Sequence, residues 1–142
     1  MTYLIINGPN LNTLGKRDPS IYGTFTLDEL KARVEENAHQ LHVEVSFFQS
    51  NSEGAIVDHL QSEGSRSQGI IINPGAFTHY GLSLRDALAD IDVPIVEVHL
   101  SNIYSRETFR HSSVIAGVVE GQISGLGWYG YVAALNYLVN RV

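Results

Sequence analysis

No cysteine occurs in the 142 residues. That excludes disulfides, thiolate catalysis and Cys-based metal sites. Lysine is nearly as scarce, with Lys16 and Lys31 the only two. Lys31 belongs to an amphipathic helical pattern, so a Schiff-base lysine buried in a site is not expected. Positive charge is in deficit: 9 Lys and Arg face 15 Asp and Glu, for a net charge of −6. A basic face for nucleic acid is therefore not expected. No apolar run approaches the roughly 18 residues needed to span a bilayer. The first residues run straight into an apolar stretch with no charged leader, and a cytoplasmic location is the expectation. Several motifs are missing as well. Neither G-x-G-x-x-G nor G-x-x-x-x-G-K-[ST] occurs, so no phosphate-cradling loop is indicated. The G-x-S-x-G elbow of serine hydrolases is absent. The six histidines show no H-x-H or H-E-x-x-H spacing, and metal ligation looks poor.

What is present reads as one domain over 1–142. Its apolar content of 44% and charged content of 17% are globular values. Apolar runs at Tyr3–Ile6, Val43–Phe48, Gly69–Ile72, Pro94–Val98 and roughly Val119–Ser124 predict five strands. Between them lie helical patterns. One follows Thr26 and Glu29, a capping box with a Phe25–Leu30 staple, and carries Leu27, Leu30, Val34, Ala38 and Leu41 on one face. Ser50 and Glu53 read as a second capping box. A third helix carries Leu82, Leu84, Leu88 and Ile91, and a last one Val132, Leu135, Leu138 and Val139. Residues 13 to 25 form a polar connection, which Pro19 is expected to keep from being helical. A loop of this length with two glycines has the character of a lid. Strands alternating with helices imply a parallel sheet covered on both faces, and five of them suggest the flavodoxin-like order 2-1-3-4-5.

In such a sheet ligands bind beyond the carboxyl ends of the strands. Three polar clusters fall on that edge. Asn7, Asn10 and Asn12 follow the first strand, Asn73-Pro74-Gly75 the third, and His99-Leu100-Ser101-Asn102 the fourth. Glu97 stands two residues before His99, on the same face of the strand, so a carboxylate can hold one ring nitrogen and leave the other for chemistry. Arg106 and Arg110 follow at i, i+4. Asn7 and Asn73 stand where a phosphoacceptor site would need acids. The remaining set of His99, Tyr22, arginines and amides suits proton transfer on a small polar substrate, with neutral donors for an oxyanion. Tyrosine is a poor base at its ordinary pKa of about 10, but an adjacent guanidinium favours the phenolate. Arg17, five residues before Tyr22, can supply it if the loop folds back. A non-catalytic flavodoxin-like binding module and a different lyase or isomerase are the other classes open to this residue set.

At this level of detail the chain resembles the type II 3-dehydroquinases. The resemblance rests on NGPNLN at 7–12, Gly15-x-Arg17-Asp18-Pro19-x-x-Tyr22-Gly23, QSNSEG at 49–54 and NPGAFTH at 73–79. It continues in Arg85-Asp86-Ala87, EVHLSN at 97–102 and Arg106-Glu107-x-x-Arg110. Asp18 and Tyr80-Gly81 depart from the more usual residues. The resemblance implies trans-elimination of water from 3-dehydroquinate to give 3-dehydroshikimate through an enolate. By position it implies Tyr22 as the base at C2, activated by Arg17, with Asn12 stabilising the enolate. It implies His99 as the acid for the leaving hydroxyl, oriented by Glu97. Asn73, His79, Asp86, Leu100, Ser101 and Arg110 would bind substrate. It further implies a dodecamer of four trimers, with Asp86 reaching a neighbour's site, and neither metal nor cofactor.

Overall fold

A computed structural model describes residues 1–141; the expected unit of 1–142 runs one residue past this, Val142 lying outside the described residues. Five parallel strands, β1 (Thr2–Asn7), β2 (Glu44–Gln49), β3 (Ile70–Asn73), β4 (Ile95–His99) and β5 (Gly121–Ser124), form one sheet in the order β2-β1-β3-β4-β5. This is the flavodoxin-like order expected from the alternating pattern. Between and after them lie α1 (Pro19–Tyr22), α2 (Leu27–Gln40), α3 (Glu53–Glu63), α4 (Leu82–Ala89) and α5 (Tyr129–Val139).

The period-2 geometry of a strand divides the core in two. Tyr3, Ile5, Ile71, Val96 and Val98 pack with Leu30 and Val34 of α2 and with Tyr131, Leu135 and Leu138 of α5. Leu4, Ile6, Ile70, Ile72 and Ile95 pack on the opposite face with Ile56 and Leu60 of α3 and with Leu84 and Leu88 of α4. Ile5, Ile71 and Ile72 are fully buried. Each such side chain is worth about 1.5–3 kcal/mol of burial, and this continuous apolar character is why the three central strands need helices on both sides.

Three local features depart from the sequence reading. Residues 19–22 are helical after all: Pro19 occupies the first turn of α1, where its missing N–H costs nothing, and Asp18 caps the turn by accepting from Ser20 N. The cap of α3 is Ser52, which accepts from Ala55 N at 3.2 Å, whereas Ser50 accepts from Ser52 N. The fifth strand begins at Gly121 rather than Val119: Glu120 N donates to Ile95 O at 2.8 Å, while Val118 and Val119 pack half-buried against the α3–α4 side of the core.

Two glycines are needed for close approach. A Cβ at Gly8 would lie 2.6 Å from Pro74 O, so the loops after β1 and β3 touch only because residue 8 has no side chain. A Cβ at Gly81 would lie 2.8 Å from Phe77 O and 3.2 Å from Glu53 Oε2. Gly81 offers no side-chain cap to α4. Glu53 supplies it from across the interface, accepting from Leu84 N at 3.0 Å and Ser83 Oγ at 2.6 Å.

Candidate active site

The strand ends meet as expected. Register pairs Asn7 with Asn73 at the carboxyl edge of β1 and β3, and His99 with Ser124 on β4 and β5. A pocket opens directly above. Of the residues singled out in the sequence, Arg17, Tyr22, Asn73, His79, His99, Leu100, Ser101 and Arg110 line it. Glu97 does not line it but stands buried beneath His99. Asn12 and Asp86 are not brought into it. Asn12 is exposed on the turn Leu11–Thr13 and accepts from Gln49 Nε2 at 3.5 Å. Asp86 sits on α4 with 76% of its side chain exposed, paired among the described residues with its neighbour Arg85 at 3.3 Å.

The 13–25 segment folds back so that Arg17 reaches Tyr22, the condition on which the sequence reading rested. Arg17 Nη2 donates to Tyr22 Oη at 2.8 Å, and its guanidinium lies 3.8 Å from the ring centroid. A second guanidinium does the same: Arg106 Nη2 donates to Tyr22 Oη at 2.8 Å from a residue 84 positions away. Arg106 is in turn held by Ser101, whose Oγ accepts from its Nη1 at 3.1 Å. An oxygen accepting two charge-assisted N–H bonds is one on which negative charge is stabilised. Sequence reasoning placed Arg106 beside Arg110 but gave it no role. The i, i+4 spacing signalled a pair, and only the chain path shows which member meets Tyr22. Arg110 also lines the pocket, its Nε paired with Glu107. That pairing, through its hydrogen bond first, holds the Glu107 carboxyl below its ordinary range.

On β4, His99 Nε2 lies 2.5 Å from Glu97 Oε2. Glu97 is fully buried at a position on the Ile95 face of the strand, where an apolar residue would ordinarily sit. Burial pushes its carboxyl upward, yet hydrogen bonds from His99, Thr78 and Gln122 together with the His99 charge outweigh this, and the net direction is below the ordinary value. An ionised Glu97 accepts from Nε2–H and leaves Nδ1 of His99 for the pocket. His79 is fixed through the other nitrogen: its Nδ1 donates to Ser112 O at 2.8 Å, because a carbonyl can only accept.

The floor has a further link that the sequence did not announce. Tyr131 of α5 is fully buried and joins the two strand-end asparagines, donating to Asn7 Oδ1 at 2.6 Å and accepting from Asn73 Nδ2 at 2.9 Å. Burial keeps this phenol neutral, pushing it well above its ordinary value. Asn73 Oδ1 accepts from Gly75 N at 3.1 Å, so both ends of that amide are fixed before any ligand arrives. Tyr131→Phe should leave two buried polar atoms, Asn7 Oδ1 and Asn73 Nδ2, without this partner and lower stability by about 2–6 kcal/mol, at roughly 1–3 kcal/mol per orphaned group. A denaturation midpoint unchanged from wild type would show that the link carries no load. Among the described residues, no group of three or more His, Asp or Glu is placed to hold a metal ion, and no helix is long and apolar enough to cross a membrane.

Known proteins share this architecture and sequence. The sequence profile of the family described as Dehydroquinase class II matches residues 1–139. A 3-dehydroquinate dehydratase of Herpetosiphon aurantiacus is 57% identical over 141 residues, covering 99% of this chain and 98% of its own. The crystal structure of the type II dehydroquinase from Butyrivibrio crossotus superimposes with a TM-score of 0.94 at 46% identity, over 97% of each chain. That of the type II dehydroquinase from Propionibacterium acnes does so with a TM-score of 0.92 at 44% identity, over 97% of this chain and 95% of its own. With its sheet order, strand-end pocket and whole length matched at this level, the chain belongs to the class II dehydroquinase family.

Proposed function

We propose that this pocket dehydrates 3-dehydroquinate to 3-dehydroshikimate through an enolate, with Tyr22 and His99 as its two proton-transfer groups. The observation that carries the reading is the Tyr22 oxygen held by two guanidiniums in the same pocket as a carboxylate-bound imidazole. As phenolate, Tyr22 takes the C2 proton, and Arg17 and Arg106 stabilise the charged oxygen. The enolate oxygen is met by neutral donors, with Asn12 contributing through a bridging water, since its side chain stands off the pocket. His99 then gives a proton to the C1 hydroxyl, which leaves as water, while Glu97 stabilises the imidazolium. Asn73, His79, Arg110 and the Leu100–Ser101 segment hold the substrate's hydroxyls and carboxylate. The product is a conjugated enone, and incubation with 3-dehydroquinate should give a rise in ultraviolet absorbance. Folded protein that gives none would overturn this function.

The assembly we propose is a homododecamer of four trimers in the cytoplasm, with Asp86 completing a neighbouring subunit's site. Support comes from Asp86 itself: it is exposed, off its own pocket, and on a helix whose start Glu53 clamps in place. Mixing tests this directly. Asp86→Ala and Tyr22→Phe subunits, each nearly inactive alone, should regain activity when co-assembled. In a closed symmetric ring at equal mixing, about a quarter of sites combine an intact Tyr22 with a neighbour's intact Asp86. No recovery in demonstrably mixed oligomers would mean that Asp86 does not act across the interface.

A further inference from the structure

Beneath the imidazole lies a chain of hydroxyls that the reaction as described leaves without a function. Thr78 and Ser113 belong to two different loops, 73–81 and 112–116, which are sewn together by Val114 N donating to Thr78 O at 2.7 Å. Thr78 is fully buried. Its Oγ1 lies 2.6 Å from Glu97 Oε2 and 2.6 Å from Ser113 Oγ.

The direction of these bonds follows from counting protons. A hydroxyl has one proton and two lone pairs. Ser113 Oγ accepts from Ile115 N at 3.1 Å and from Ala116 N at 2.9 Å, which uses both lone pairs. Its own proton must then be donated. Glu97 Oε1 is 3.4 Å away and Thr78 Oγ1 2.6 Å, so the proton goes to Thr78. Thr78 accepts that proton with one lone pair and gives its own to Glu97 Oε2, since an ionised carboxylate can only accept. The same carboxylate oxygen receives His99 Nε2–H. The result is a one-way chain from two backbone amides through Ser113 and Thr78 to Glu97, ending against the imidazole. A carboxylate fed by this chain favours its ionised form even though it is buried.

We propose that Thr78 and Ser113 are positioning residues for the general acid: their directed hydroxyl chain keeps Glu97 ionised and thereby maintains His99 as the proton donor to the leaving hydroxyl. The proposal rests on the reading of His99 as that donor. Thr78 touches no reacting atom; it acts through Glu97. Bond changes stay those of the dehydration: the C1–O bond breaks, the His99 proton joins the departing oxygen, and water leaves. Take away the Thr78 proton and Glu97 Oε2 loses a donor in a buried setting. A proton then resides more readily on the carboxylate, and the imidazole loses the anion that supports its charged form. Proton removal at C2, which belongs to Tyr22 and its two arginines, is untouched.

The test compares Thr78→Val, Thr78→Ser, Ser113→Ala and the Thr78→Val/Ser113→Ala pair with wild type and with His99→Ala. Turnover, its pH profile and exchange of the C2 proton into deuterated water are measured on each. Thr78→Val should lower turnover about 10–100-fold, the worth of a charge-assisted bond to a buried carboxylate, with C2 exchange retained. Thr78→Ser, which keeps the hydroxyl, should restore most of the loss. The basic limb of the pH profile, where the donor proton is lost, should move downward in Thr78→Val, while the acidic limb, which the Tyr22 phenolate also sets, stays in place. His99 is the titratable group facing Glu97, while Thr78, Ser113 and Gln122 are neutral, so the basic limb reports this pair. Ser113→Ala should act in the same direction and add little to Thr78→Val, since both break one chain. If His99→Ala turns over normally, the donor reading fails and this proposal with it. If His99→Ala behaves as a lost acid but Thr78→Val keeps wild-type turnover and pH profile, the hydroxyl chain alone is refuted. Parallel loss of exchange and turnover in folded Thr78→Val would likewise refute it, by showing a general disturbance of the site.

Discussion

Tyr22→Phe is expected to lower turnover by about 10²–10⁴-fold, the range associated with a lost general acid–base group, while substrate still binds. Phenylalanine keeps the ring against which the Arg17 guanidinium lies, so the 13–25 segment retains this packing. What disappears is the one oxygen on which Arg17 and Arg106 converge, each at 2.8 Å. The two guanidiniums remain, now without an acceptor. Solvent-deuterium exchange at C2 is the decisive measurement, because it reports proton removal irrespective of whether water is later lost. A Tyr22→Phe enzyme that exchanges C2 as fast as wild type is using another base. Arg17→Ala and Arg106→Ala should each slow the same exchange. Their effects should differ in origin, however: Arg17 belongs to the same 13–25 segment as the ring it stacks upon, whereas Arg106 is anchored from the β4 side through Ser101.

His99→Ala should cost a comparable factor of about 10²–10⁴ in turnover, but on the other half of the reaction. Without Nδ1–H the departing C1 hydroxyl must leave without protein-borne protonation. Exchange at C2 should therefore persist and run ahead of dehydration, the reverse of the Tyr22→Phe pattern. The substitution also leaves Glu97 buried without its main charged partner, with Thr78 and Gln122 as remaining donors. An unpaired buried carboxylate is costly, so the stability of the variant should be measured beside its activity. His99→Asn, which restores an N–H near Glu97 without a titratable proton, separates the two effects. Recovery of stability with no recovery of turnover would fit an acid; recovery of both would mean that His99 serves only as a structural partner.

Much of this was legible in the sequence because it depends on local periodicity. Near-continuous apolar runs ending in polar residues define strands buried on both faces, and two-residue spacing alone puts Glu97 and His99 on one side of β4. The Thr26 cap of α2 and the Arg17–Tyr22 pair are likewise short-range, set by three- and five-residue separations. Alternation of strand and helix was enough for the sheet order, since right-handed crossovers leave few alternatives. The tertiary structure decided the side-chain contacts that join distant segments. It chose Arg106 rather than Arg110 for the Tyr22 oxygen, because the turns after β4 carry residue 106 back toward the 13–25 segment. It brought Tyr131 between Asn7 and Asn73 across 124 and 58 positions, and Thr78 and Ser113 beneath Glu97. It left Asn12 off the pocket and Asp86 exposed, although their motifs read no differently from those of residues inside. The reason is physical: a periodic pattern fixes which face a side chain takes on its own element, whereas a hydrogen bond between elements depends on where two loops end up, and no spacing within either loop encodes that distance.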